Sequence, residues 1–200
     1  MISEYNVSIV GVGGTGLLTV AAIIGQAAVK QGEKVRVGEI HGLSQRGGVV
    51  NCDVRIGDEV YGPIIMDLKA NVLLSFELGE TLRILKKVSP EGTILLNSYK
   101  MIPPGLSAKS GQYVNEEKVL AFAKEFAKNV FVLDALRLAE KAGDPRAMNV
   151  VMLGALTGIA GFPLERGLLV KAIRELLPKT ADMNIKAFDL GYRDLVTKTK

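Results

Sequence analysis

The chain is predicted to be an α/β domain: a doubly wound, mostly parallel sheet with helices on both faces and an antiparallel strand addition. Three observations carry that expectation. A β-rich run at 5–10 leads through Gly11-Val12-Gly13-Gly14-Thr15-Gly16 into residues 17–30, where apolar residues recur at helical spacing. The runs 71–76 and 93–97 are almost wholly apolar, as strands covered on both faces are. Strand-like and helix-like segments then alternate along most of the chain, the pattern of a parallel sheet with crossover helices.

Taken in order, 34–40 reads as a second strand and 49–56 as a third, with Val50, Cys52, Val54 and Ile56 alternating against other residues. Gly57-Asp58 makes a tight turn into 59–65, a hairpin strand closed by Pro63, and this pair is the expected antiparallel addition. After the buried run 71–76, residues 77–88 read as a helix with Leu78, Leu82 and Leu85 on one face, and Ser89-Pro90-Glu91-Gly92 turns into the strand 93–97. The breakers in 101–111 predict a surface excursion. Asn115 caps a helix running to Lys128, 130–133 is a short strand, and helices fill 135–141, 147–160, 164–176 and 182–196. Asn149 is read as a helix-start cap. The result is a single, Rossmann-like three-layer domain over 1–200, a length that buries roughly 70% of its unfolded surface.

Composition narrows the function. The 25 basic and 21 acidic residues are interleaved, so the net charge of +4 does not form the stripe or arm that a nucleic-acid partner requires. No apolar run is long enough to span a bilayer and the amino terminus lacks a secretory layout, so a cytoplasmic protein with no membrane partner is expected. One cysteine, Cys52, rules out an internal disulfide and is too few for a standard iron–sulfur cluster or structural zinc site. Inside an apparent strand, it reads as a small buried residue.

Two loops remain as candidate sites. In Gly11–Gly16 the first glycine makes a tight turn, the second lets a phosphate-bearing ligand approach, and the third lets helix and strand pack, while the helix start favours an anion. In Glu39-Ile40-His41-Gly42-Leu43-Ser44-Gln45-Arg46-Gly47-Gly48 the only histidine stands with polar side chains between glycines, and after Glu39 only Arg46 is formally charged. Arg46 offers paired donors to a carboxylate or phosphate, Gln45 a partner for a carbonyl or amide, and His41 an orienting role. Both loops are expected at the carboxyl ends of neighbouring strands, converging on one crevice. Glu39, about twenty residues beyond the first loop, suits the ribose contact of an NAD-dependent dehydrogenase, yet no catalytic acid or base accompanies it. It serves equally as a loop anchor.

The two glycine loops, with Asn71-Val-Leu-Leu-Ser-Phe-Glu77, Gly92-Thr-Ile-Leu-Leu-Asn97 and Asn149-Val-Val-Met-Leu-Gly154-Ala-Leu, resemble the gamma-type domain of 2-oxoacid:ferredoxin oxidoreductases over nearly the whole chain. His41-Gly-Leu-Ser-Gln-Arg-Gly-Gly48 is most similar to the indolepyruvate branch of that family. Thr15 stands where the family's first loop often carries glutamine. The resemblance implies a division of labour. A larger partner subunit holds thiamine diphosphate, magnesium and [4Fe-4S] clusters, electrons pass through the complex to ferredoxin, and coenzyme A takes the acyl group as cosubstrate. This chain would hold no cofactor alone and would supply Gly11, Gly13, Gly14, Thr15, Gly16, Glu39, His41, Gly42, Ser44, Gln45, Arg46, Gly47 and Gly48 to substrate or coenzyme. A non-catalytic assembly subunit, in which both loops only dock onto the partner, is the remaining alternative.

Overall fold

The computed structural model describes residues 2–42, 48–102 and 113–199. The first strand, β1 (Tyr5–Val12), is followed by α1 (Leu17–Gln31), β2 (Val35–His41), β3 (Val49–Ile56) and β4 (Ala70–Ser75). Then come α2 (Thr81–Ile84), β5 (Val88–Asn97), α3 (Glu116–Phe126), β6 (Asn129–Leu133), α4 (Ala135–Ala142), α5 (Met148–Leu156), α6 (Arg166–Leu176) and α7 (Ala181–Lys198). The strands form one six-stranded sheet in the order β2-β3-β1-β4-β5-β6. The ladders β1–β4, β4–β5 and β5–β6 are parallel, whereas β3 runs antiparallel to both β1 and β2.

The antiparallel addition therefore exists, but its hairpin partner is β2 and not 59–65. Residues 57–69 form no strand, because side chains take up their backbone groups. The Arg55 guanidinium donates to the Gly62 and Ile64 carbonyls at 2.8 and 3.3 Å, and the Asp53 carboxylate accepts from the Ile65 N–H at 2.9 Å. The expected helix over 77–88 is likewise short, comprising α2 and a 3-10 turn at Leu85–Lys87. Ser89–Gly92 does not separate two elements: β5 begins at Val88, and the four residues bulge out of it opposite Asn71, since Ala70 pairs with Val88 and Val72 with Thr93.

Alternation along the strands splits the core into two layers. Val7, Ile9, Cys52, Val54, Val72, Leu74 and Leu95 lie in a cluster with α1 and α4–α7. Val10, Leu73, Ile94 and Leu96 lie in a second cluster with Leu78, Ile84, Val119 and Ala123. Every residue of α5 is buried, as befits a helix apolar on all sides. It packs on α7 so closely that a Cβ at Gly154 would lie 1.9 Å from the Phe188 carbonyl oxygen, and one at Gly191 would lie 1.9 Å from that of Val151. Among the described residues no helix is long and apolar enough to cross a membrane.

Candidate functional site

At the carboxyl end of β1 the chain turns through Gly13–Gly16 into α1. Thr15 closes the turn, its N–H and its buried hydroxyl both donating to the Val12 carbonyl at 3.1 and 2.7 Å. Gly16 adopts the left-handed conformation (φ 78°) and begins α1 with no side-chain cap, so the helix's first-turn N–H groups receive none from that position. The Asn149 amide donates to the Gly16 carbonyl at 3.2 Å. Asn149 is thus not the cap the sequence suggested: it lies inside α5, whose own N-cap is Ala147, and ties that helix to the glycine turn.

The second loop joins β2 to β3. Gly42 N–H donates to the Val49 carbonyl at 3.0 Å, and Gly13 N–H donates to the Gly48 carbonyl at 2.9 Å. That last bond brings the two glycine loops together at one edge of the sheet, as expected, although the strands concerned are not neighbours. β3 lies between β1 and β2, and the convergence arises because β3 returns antiparallel and starts beside the end of β1, with Val49 opposite Val12. An open cleft of about 390 Å³ lies here, lined by Gly13, Gly14, Gly16, Leu17, Leu18 and Val50. A Cβ at Gly14 would meet nothing within 4 Å, and one at Gly13 only ordinary contacts with the Gly48 oxygen and Val50 at 3.6 and 3.9 Å. Gly11 differs, since a Cβ there would come within 3.0 Å of the Phe76 side chain, so it serves the packing of β1 on β4.

His41 ends β2 with its backbone opposite Val50. Ser44, Gln45, Arg46 and Gly47 lie outside the described residues. Glu39 is exposed on the outer strand β2, opposite Cys52. Because β3 intervenes, Glu39 does not occupy the strand beside β1 from which a Rossmann acid reaches the ribose, and the geometry counts against the dehydrogenase reading. Burial, then the nearby Glu39 and Asp53 carboxylates, pushes the Cys52 thiol up to about 12, which leaves it a protonated packing group. Among the described residues no three His, Cys, Asp or Glu side chains are grouped to hold a metal, and a single buried thiol does not fit an iron–sulfur cluster.

Sequence reasoning missed a buried polar cluster at the carboxyl end of β4. Glu77, 1% exposed, accepts from the Glu80 N–H at 3.0 Å, the Met101 N–H at 3.1 Å and the Tyr113 hydroxyl. Tyr113 in turn accepts from Gly79 N–H at 3.1 Å, and burial together with its bond to Glu77 raises its pKa. Asn97, fully buried, accepts from Ala135 N–H at 3.2 Å and donates to the Phe76 carbonyl at 3.2 Å. The apolar run before Glu77 was the only available signal, because a carboxylate ending a buried strand needs partners that lie elsewhere in the chain.

Fold and loops define an open α/β module whose glycine turns meet at the carboxyl edge of its first strand. Residues 6–193 match the family model described as pyruvate ferredoxin/flavodoxin oxidoreductase, and the chain belongs to that family. It is 44% identical over 192 residues to indolepyruvate oxidoreductase subunit IorB of Pyrococcus horikoshii, covering 95% of each chain. Its fold matches the keto/oxoacid ferredoxin oxidoreductase gamma subunit of Geobacter sulfurreducens with a TM-score of 0.71 at 19% identity, covering 96% of this chain and 99% of that one. It also matches the Magnetococcus marinus 2-oxoglutarate:ferredoxin oxidoreductase, solved with 2-oxoglutarate, coenzyme A and succinyl-CoA bound, with a TM-score of 0.72 at 19% identity. That match covers 99% of this chain but 32% of the other. The resemblance seen in the motifs is thereby borne out at the level of family and fold.

Proposed function

We propose that this chain is the smaller subunit of a cytoplasmic 2-oxoacid:ferredoxin oxidoreductase acting on an aryl pyruvate such as indolepyruvate, and that it works only in complex with a larger subunit. The observation that carries the reading is the near full-length likeness to IorB, in a chain that also brings its two glycine loops together. The larger subunit would hold thiamine diphosphate, magnesium and the [4Fe-4S] clusters, which supply decarboxylation and electron transfer to ferredoxin when bound. Coenzyme A is the cosubstrate that removes the acyl group.

Within this chain, Gly13 and Gly14 leave room for a ligand at the backbone, and Ser44, Gln45 and Arg46 would supply the polar side chains from the segment that links β2 to β3. Arg46 pairs with a carboxylate or phosphate through its planar fork, and Gln45 and Ser44 bond the neighbouring carbonyl or amide. His41 orients the loop where it leaves β2.

The test uses the complex co-expressed with its larger subunit, assayed by oxidation of an aryl 2-oxoacid with ferredoxin or a dye as acceptor. Arg46→Ala and Arg46→Lys should each lower kcat/KM on the order of tenfold or more, because both remove a two-pronged charge-assisted contact. Melting temperature and subunit association should stay at wild-type values. Wild-type kinetics in Arg46→Ala would take Arg46 out of the site. Lost association would assign it to the subunit contact. Purified alone, this chain should bind neither iron nor thiamine diphosphate and should show no turnover, and a stoichiometric cluster in the free chain would overturn the assignment.

A further inference from the structure

The fully buried helix α5 carries a single polar side chain, Asn149, which is 7% exposed. A buried amide is costly unless its polar atoms are used, and both ends of this one are. Its oxygen accepts from the Val150 N–H at 2.9 Å, one of the groups that the first turn of a helix leaves without an internal partner. Its nitrogen donates at 3.2 Å to the Gly16 carbonyl, 133 positions earlier in the chain.

Gly16 is where α1 begins. Its carbonyl also accepts the helix's first bond, from Val20 N–H at 3.3 Å, so the N–H groups of Leu17, Leu18 and Thr19 precede that bond and have no acceptor within the helix. Gly16, Leu17 and Leu18 line the cleft. The direction of those N–H groups follows from how the Gly16 peptide is held. On the strand side the turn is fixed by the bonds of Thr15 to the Val12 carbonyl and of Gly13 to the Gly48 carbonyl. On the helix side the hold is Asn149, pressed so close that a Cβ on Gly16 would lie 2.5 Å from the amide nitrogen. The mount is rigid, because α5 meets α7 backbone to backbone at Gly154 and Gly191.

We propose that Asn149 is a positioning residue for the oxidoreductase reaction: by holding the Gly16 carbonyl from a fixed helix, it sets the direction in which the start of α1 faces the 2-oxoacid or coenzyme A approaching Gly13 and Gly14. Asn149 acts through Gly16 and not by touching the ligand. This rests on the proposed function, which brings the ligand to the turn.

The experiment uses the complex with the larger subunit and three variants of this chain, with the 2-oxoacid and coenzyme A each varied in turn. Asn149→Asp keeps the shape and the acceptor for Val150 N–H and loses the donor to Gly16, whereas Asn149→Ala loses both. Val151→Ala is the control, since it removes bulk from the same buried helix at a fully buried position and leaves the amide in place. Both Asn149 variants should raise KM on the order of threefold to tenfold for the one substrate that passes the turn, with kcat and the other KM near wild type, as loss of a hydrogen bond that orders a binding surface does. Which KM rises tells whether the turn faces the 2-oxoacid or coenzyme A. Val151→Ala should lower the melting temperature and leave both KM values unchanged. Wild-type KM values in both Asn149 variants would overturn the inference and leave the proposed function standing. The same kinetic change in Val151→Ala, or failure of both Asn149 variants to fold, would reduce Asn149 to a packing residue and overturn it too. A wild-type complex that oxidises no aryl 2-oxoacid would overturn the proposed function and this inference together.

Discussion

The glycines where α5 crosses α7 and those that turn β1 into α1 look alike in the sequence, and the structure separates them by what surrounds the missing side chain. At Gly154 and Gly191 an added Cβ would run into backbone carbonyls of the facing helix. At Gly13 and Gly14 it would reach ordinary contacts or open space. The first pair is glycine because two helix backbones approach one another. Gly14 is accounted for by its positive φ of 95°, whereas Gly13 has no positive φ and is glycine in a place where the protein itself leaves the space open, which points to an approach from outside the chain. Gly16 shares the left-handed φ of Gly14 and in addition has Asn149 pressed against it.

The largest effect should come from Gly191→Ala. With the Val151 oxygen 1.9 Å from the new Cβ, α7 must move away from a helix in which every residue is buried. Forcing atoms into a packed core costs about 1–3 kcal/mol and occasionally more, and the absence of a flexible side chain to yield places this variant at the upper end. For a domain of this size the melting temperature should fall by roughly 6–12 °C, measured calorimetrically on the isolated chain. A drop below a degree would mean that the helices separate easily and that this half of the comparison is wrong.

Gly16→Ala should come next, at about 1–2 kcal/mol, the usual penalty for an alanine in the left-handed region. The Asn149 side chain, whose nitrogen lies 2.5 Å from the added Cβ, must also shift and release its bond to the Gly16 carbonyl. Pairing Gly16→Ala with Asn149→Ala sharpens the comparison, because the clash disappears in the double variant while the strained φ remains. Denaturant unfolding of the two single variants and the double variant gives the coupling. Strict additivity would show that Asn149 does not constrain the turn.

How much of this was readable beforehand follows the same division. The strand, glycine turn and α1 were legible because the signals are local: a β-rich run, closely spaced glycines and helical apolar spacing. The buried strands β4 and β5 were legible from their uniformly apolar stretches. The strand expected at 59–65 failed because Arg55 and Asp53, on another element, satisfy its backbone, and no pattern within the segment shows that. The helix expected from Glu77 starts only at Thr81, since the Glu77 carbonyl accepts from the Ser75 and Thr81 hydroxyls and its carboxylate from Glu80, Met101 and Tyr113. Both loops of the site were legible as loops, and their meeting was expected. The intervening β3 was not, because pairing order is a property of the sheet and is written in no single segment. Asn149 shows the same limit: its type suggested a cap, while its role depends on a residue 133 positions away.

The smallest effect on stability, and the most discriminating for function, should be that of Gly13→Ala. Gly13 has no positive φ, and the new Cβ would sit 3.6 Å from the Gly48 oxygen and 3.9 Å from Val50, both ordinary contacts. Its N–H bond to Gly48 is a backbone bond that alanine keeps. Stability should therefore change by no more than about 0.5 kcal/mol, as for surface substitutions that break no specific feature. The methyl group would nevertheless project into the space beside the cleft, where the ligand-loop reading has substrate or coenzyme approach the backbone. If that reading holds, the assembled oxidoreductase should keep its subunit affinity and melting temperature and lose turnover, with the larger change in KM for whichever of the 2-oxoacid and coenzyme A passes Gly13. If the loops serve only assembly, turnover at saturating subunit concentration should match wild type for both. Steady-state kinetics with each substrate varied in turn, alongside a binding isotherm for the larger subunit, separates these outcomes. Unchanged kinetics would reduce the open space at Gly13 to a surface feature and leave the glycine unexplained by ligand approach.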